Sequence, residues 1–201
     1  MIKKKFNLRN VAAIVACLAV TVFTSCGSGS GSSSGRKSAK INMTTEKSGR
    51  FQFYLKGSGV ATVDWGDGSE KVMLTIDGST SFSHDYPSAT IRTISINGDN
   101  ITEFAASGDF NITSLDVSHC TELTRLYAHS LLTSVDLSKN TSLKSIEVQD
   151  NRLTTEALNA LFGTLHSNSF EGGSKIIYVY GNPGEKTCDR SIAERKGWTV
   201  K

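Results

Sequence analysis

Apolar residues follow three successive patterns along this chain. Between 41 and 96 they alternate with polar residues in short runs: INMTT (41–45), RFQFYL (50–55), VATVDW (60–65), KVMLTI (71–76), TSFSHDY (80–86) and TIRTISI (90–96). Gly, Ser, Asp and Asn separate the runs, and period-two alternation at this spacing predicts six antiparallel strands with one buried face. On the third run Ala61, Val63 and Trp65 turn one way and Val60, Thr62 and Asp64 the other. Next comes a repeat. ITSLDVSHCTEL (112–123) superimposes on LTSVDLSKNTSL (132–143), and each block leads into a phrase L-x-x-L-x-L: Leu123, Leu126, Ala128, then Leu143, Ile146, Val148. A weaker turn of the same kind, ITEFAAS (101–107), precedes both. After Leu153 the period becomes 3.6, with Leu158, Leu161, Phe162 and Leu165 on one face. Thr154 or Thr155 suits the cap of this helix, and Glu156 in its first turn suits the dipole. KIIYVYGNPG (175–184) reads as one more strand and a turn, and Asp189 as the cap of a short helix, SIAERK, stopped by Gly197. Trp198 and Val200 then cover the end of the stack.

A repeating unit of about 20 residues cannot bury its own apolar side and must stack on its neighbours as coils of a solenoid. The coils resemble the leucine-rich repeats of internalin-like and Bacteroidetes surface proteins, which read L-x-x-L-D-L-S-x-N-x-x-L. Leu132 to Leu153 matches best, with Asn151 at the family's asparagine position. Cys120 replaces the counterpart of Asn140, and Leu131 replaces the counterpart of Asn151. In the preceding segment, VDWGDGS (63–69) and HDY (84–86) resemble the W-G-D-G hairpin and H-x-Y strand of polycystic-kidney-disease (PKD) β-sandwiches. Together these imply a mainly β chain with minor α: a small PKD-like antiparallel β-sandwich over 39–99, then a short leucine-rich-repeat solenoid with a helical carboxyl-terminal cap over 100–201. The sandwich would close the open end of the solenoid.

In such coils the leucines point inward and the intervening residues form columns on a concave sheet. Stacking in register gives one exposed column of Ala105, Tyr127, Glu147 and Tyr178. A second holds Ser107, His129, Gln149 and Tyr180, and a third Glu103, Arg125 and Ser145. Tyrosines beside Arg, His and Glu are a mixture enriched at interfaces, although strand tyrosines also pack well against cross-strand neighbours. The expected binding residues are therefore Tyr127, Glu147, Tyr178, Arg125, His129, Gln149 and Tyr180.

The amino terminus changes how the charge is read. Lys3, Lys4, Lys5 and Arg9 precede an apolar run from Val11 to Phe23, then Thr24-Ser25-Cys26. A charged start, an apolar core too short to span a bilayer and a small-residue exit describe a secretory signal over 1–25. Ser25-Cys26 resembles a bacterial lipobox, which implies acylation of Cys26, with GSGSGSSSG inside 26–38 as a tether. Removing the signal takes four of the 22 basic residues and none of the 19 acidic ones, leaving 18 against 19. The near-neutral remainder offers no electrostatic footprint for nucleic acid.

Two cysteines, Cys120 and Cys188, remain; they sit in different coils and are expected to be buried free thiols. Asp64 and Asp67 invite a calcium reading, but too few oxygens accompany them. Their carboxylates are expected to accept N–H bonds in the turns that Gly66 and Gly68 permit. His84 and Tyr86 are expected to be packed rather than catalytic. There is no nucleophile elbow, His-Glu-x-x-His or phosphate loop. The expectation is a non-enzymatic outer-membrane lipoprotein, surface-exposed or periplasmic, without cofactor or metal. It would be a monomer held to the membrane through its lipid alone, binding a protein or glycan through the concave sheet. The alternatives are a structural spacer or assembly subunit of a cell-envelope complex and, third, a hydrolase.

Overall fold

The computed structural model describes residues 38–108, 111–171 and 173–201. The expected signal, Cys26 and all but the last residue of the tether lie outside them. The chain is mainly β: β1 (Ala39–Thr45), β2 (Gly49–Asp64), β3 (Val72–Tyr86), β4 (Arg92–Gly98), β5 (Ile101–Ser107), β6 (Ile112–Asp116), β7 (Arg125–His129), β8 (Ser145–Glu147), α1 (Thr155–Thr164), β9 (Lys175–Tyr178), α2 (Ser191–Glu194) and β10 (Trp198–Val200). All ten strands join one sheet in the order β10-β9-β8-β7-β5-β2-β4-β1-β6, with β3 on the other side of β2.

Six short strands were expected before residue 99, but there are four, because two pairs are fused. RFQFYL and VATVDW belong to β2, and most of KVMLTI joins TSFSHDY in β3. The glycines between them do not break the ladder; they bend it. Gly57 pairs with Gly78, and both, like Gly59, have positive φ (153°, 69° and 97°). A Cβ on Gly57 would lie 1.9 Å from the Asn100 carbonyl oxygen, so no side chain fits where the backbones cross. The other edge of β2 is lined first by β5 (from Tyr54 to Gly57) and then by β4 (from Ala61 to Asp64). Asp99 and Asn100 carry the chain across the corner, with Asp99 N–H donating to Val60 O and Ser58 N–H to Asn100 O. The three-strand ribbon therefore turns a corner and faces itself.

Six aromatic side chains fill the space between the halves: Phe51, Phe53, Phe82, Phe104, Trp65 and Tyr86, all at most 2% exposed. Phe53 stacks on Phe82 at 5.2 Å and meets Phe104 at 6.0 Å. Burying each such ring contributes about 1.5–3 kcal/mol, so β5 shares its core with the segment before it. Ala61, Val63 and Trp65 are buried, as the alternation predicts.

Beyond the corner, β5, β7, β8, β9 and β10 form a parallel ladder. Their inward residues Phe104, Leu126, Ile146 and Ile177 stack in register and are fully buried. Buried asparagines close the turns between rungs. Asn151 makes five hydrogen bonds: its Nδ2 donates to the carbonyls of Ala128, Val148 and Gln149, and its Oδ1 accepts from Ser130 and Leu132 N–H. Asn140 donates to the Val117 and Cys120 carbonyls, and Asn182 to those of Val148 and Val179.

Cys120 departs from asparagine for a local reason. Its neighbour is β1 rather than another rung, and its thiol donates to the Lys40 carbonyl at 3.4 Å. Burial pushes this thiol's pKa up to about 12. The same replacement of a rung by β1 explains why ITSLD becomes strand β6, paired antiparallel with β1, while the matching LTSVD does not. Where Leu131 stands in place of an asparagine, the adjacent Ser130 hydroxyl accepts the Ile112 N–H at 2.6 Å. Both cysteines are free; Cys188, expected to be buried, is only half-buried because it lies in the turn before α2 rather than in the ladder. Thr154 caps α1, its hydroxyl accepting from Ala157 N–H, and Leu158, Leu161 and Phe162 are buried. Asp189 lies one residue before the α2 cap position and accepts the Ser191 N–H.

Candidate ligand-binding face

The outward residues of the parallel ladder form the columns that the repeat spacing predicts. Ala105 pairs with Tyr127, Tyr127 with Glu147, and Glu147 with Tyr178. Adjacent strands lie about 4.8 Å apart, which places Tyr127 and Tyr178 on either side of Glu147 at about twice that spacing. All three are half-buried, held upright by the inward packing of their neighbours. The third column also forms, Glu103 pairing with Arg125, Arg125 with Ser145, and Ser145 with Ile176. A groove of about 570 Å³ runs over these two columns, lined by Glu103, Thr124, Arg125, Tyr127, Lys144, Ser145, Glu147, Ser174, Ile176 and Tyr178.

Charge in the groove is partly neutralised from within. Glu103 takes a hydrogen bond from Lys56 Nζ at 3.1 Å and lies 3.9 Å from Arg125 Nε. Exposed pairs of this kind contribute at most about 1 kcal/mol, so they orient the side chains more than they stabilise the fold. Arg125 remains exposed. On the other side of Glu147, His129 Nε2 lies 3.8 Å from Glu147 Oε2, which also accepts from Gln149 Nε2 at 3.2 Å. The Lys144 ammonium stands 4.6 Å above the Phe170 ring, at the margin of the groove.

The second column departs from expectation at Gln149. It is only 4% exposed and so is not a displayed residue. Strand β8 stops at Glu147, and the chain then turns through Asp150 at φ 54°, so Gln149 lies in a turn against Glu147 and Asn151. Tyr180 is 46% exposed but follows the end of β9, where its carbonyl accepts the Asp150 N–H. His129 borders a second, smaller cavity with Ser130, Leu131 and Asp150.

Two residues of the face were not expected. Tyr54, 46% exposed, pairs with Ala105 and extends the tyrosine column by one strand, and Lys56 pairs with Glu103. Alternation in RFQFYL, continued to Lys56, points both outward, but nothing in the sequence indicates that β2 would lie beside β5.

The other residues singled out in the sequence serve the fold. Asp64 accepts the Gly66 N–H and pairs with Lys71 at 3.2 Å; the Gly66 bond and then Lys71 hold its carboxyl below the usual range. Asp67 accepts the Ser69 hydroxyl and N–H on Oδ1 and bonds His84 Nε2 at 2.6 Å on Oδ2. The Ser69 hydroxyl above all, then His84, holds Asp67 far below the ordinary carboxylate range. His84 stacks on Trp65 at 5.0 Å, and the Tyr86 hydroxyl donates to the Trp65 carbonyl. Among the described residues no group of three or more His, Cys, Asp or Glu side chains is placed to hold a metal.

No protein-family model, curated protein or solved structure matches this chain.

Proposed function

We propose that the chain is a non-catalytic, membrane-anchored lipoprotein that binds a protein or a glycan through the outward face of its parallel ladder. In this reading the ladder is a short leucine-rich-repeat solenoid, closed at one end by a PKD-like β-sandwich and at the other by the helical cap. Acylated Cys26 holds it at the outer membrane. The observation that carries the reading is the in-register column Tyr127–Glu147–Tyr178. Two rigid aromatic side chains flank a carboxylate, and the exposed Arg125, 3.9 Å from Glu103, stands beside them. Tyrosines present area at low conformational cost, and the open groove gives an extended ligand room to lie across the strands. Among the described residues no helix is long and apolar enough to cross a membrane.

Two measurements test the two halves of the proposal. Detergent partitioning of the wild type and of Cys26→Ser should move the protein from the detergent phase to the aqueous phase. Partitioning that ignores the substitution removes the lipid anchor from the account. Paired glycan and protein arrays, probed with the full chain, should return ligands whose capture fails when Tyr127 and Tyr178 are both changed to Ala.

A further inference from the structure

Among the described residues, strand β3 pairs with β2 alone. It lies against β2 along its whole length, and among the described residues no other strand pairs with its far edge. Unpaired edges invite a further strand, and proteins usually blunt them with lysine, proline or a bulge. Between the W-G-D-G turn and the corner at Gly78, β3 reads Val72-Met73-Leu74-Thr75-Ile76-Asp77, with Lys71 just before it. The six residues contain neither lysine nor proline, and their register with β2 is unbroken.

The apolar residues here are exposed as well. Met73 is 67% exposed on the outer face, opposite Thr62 of β2, and Val60, opposite Thr75, is 40% exposed. Leu74 pairs with Ala61, so it lies on the core face, yet it is 40% exposed while Ile76 is 1% exposed. The core of the folded sheet therefore ends at an uncovered leucine.

We infer that this edge is a homodimer interface, in which a second copy of the chain adds its own β3 antiparallel to the first around a twofold axis through Leu74. The segment is complementary to itself in that register. Leu74 meets Leu74 of the second copy, Met73 meets Thr75, and Val72 meets Ile76. Lys71 then stands opposite Asp77 of the second copy, and by symmetry Asp77 stands opposite Lys71. Both are surface residues on the outer face, so two opposite-charge pairs flank an apolar centre.

Neighbouring registers lose this match. A sheet keeps its core face on one side only when the register moves in steps of two. Centred on Met73, Lys71 faces Thr75; centred on Thr75, it faces Ser79 beyond the corner. A twofold of this kind uses the same surface on both copies and closes, so it yields a dimer rather than a fibre.

Charge swaps on the full chain, read by sedimentation equilibrium in density-matched detergent, test the pairing. The wild type should dimerise as its concentration rises. Lys71→Asp and Asp77→Lys, which place like charges opposite one another, should each raise the dissociation constant about tenfold. The double variant Lys71→Asp/Asp77→Lys should return close to the wild type, which no loss of the Lys71–Asp64 contact can mimic. Leu74→Cys should also form an intermolecular disulfide under mild oxidation, because directly opposed Cα atoms in an antiparallel pair lie about 4.5–5.5 Å apart. A wild type that stays monomeric overturns the inference, as does a dimer unmoved by either single swap.

Discussion

Phe53 and Trp65 lie 12 residues apart in one continuous run of chain, yet their rings are 5.7 Å apart, centroid to centroid. An extended strand would separate them by about 40 Å. The chain brings them together by bending β2 and β3 at Gly57, Gly59 and Gly78. That bend makes a two-sided core from one sheet and places β5, the first rung of the parallel ladder, beside β2. The candidate face thus depends on glycines far from it in sequence.

The corner can be tested by adding one carbon atom. Gly57→Ala forces a Cβ onto the Asn100 carbonyl and should destabilise the protein by about 3 kcal/mol or more. Gly68→Ala, in a turn of positive φ with open space around it, should cost only about 1–2 kcal/mol. Urea unfolding followed by tryptophan fluorescence compares the two. Equal losses would mean that the clash is not what matters at the corner.

Asn151 should be the most costly polar residue of the ladder to remove. Asn151→Ala leaves Ser130 N–H and Leu132 N–H without their acceptor and takes one donor from each of the Ala128, Val148 and Gln149 carbonyls, of which Val148 keeps Asn182 Nδ2. Each unsatisfied buried group costs about 1–3 kcal/mol, so a loss of about 3 kcal/mol or more is expected in chemical denaturation. Ser130→Ala, which removes one acceptor, should cost roughly a third of that.

These two sites differ in how legible they were. The registers Tyr127–Glu147 and Glu103–Arg125–Ser145 follow from the repeat, because stacking units of similar length fixes which residues are neighbours, whereas Tyr178 joins the column only through the alternation of KIIYVY as one more strand. The corner does not, since Gly57, Gly59 and Gly78 read locally as strand ends and only the long-range pairing with Asp99 and Asn100 shows them to be bends. Counting along the repeat puts Gln149 on the face, but β8 ends two residues before it. Asn182 does for the last rung what Asn151 does one rung earlier. Its role was hidden because α1 lengthens the spacing between them to 31 residues.

His166 makes stability depend on pH. Its Nε2 bonds the Leu143 carbonyl at 2.8 Å and its Nδ1 accepts the Asn168 N–H at 3.1 Å, an arrangement suited to the neutral ring. Burial, reinforced by the nearby Lys175 charge, lowers its pKa below the model-peptide value of 6.5, against the opposing pull of the Leu143 bond. The folded state then binds fewer protons than the unfolded state. This contribution is fully present above pH 6.5 and is lost as the pH falls through the folded value. The urea midpoint should therefore drop between pH 7.5 and pH 5.5, and His166→Gln should drop less. Parallel losses in the two proteins would assign the pH dependence to other groups.

The ligand-binding role of the ladder face is tested most directly by titrating a ligand from the arrays against Tyr127→Ala and Tyr178→Ala. The two tyrosines flank Glu147 in register and point away from the core of Leu126, Ile146 and Ile177. Each substitution should weaken binding about thirtyfold, the equivalent of about 2 kcal/mol, with little change in the urea midpoint. Asp116→Ala and Lys139→Ala, on the opposite side of the repeat, should bind as the wild type does. Binding that survives both tyrosine changes but is abolished by Asp116→Ala or Lys139→Ala would contradict the assignment of the face.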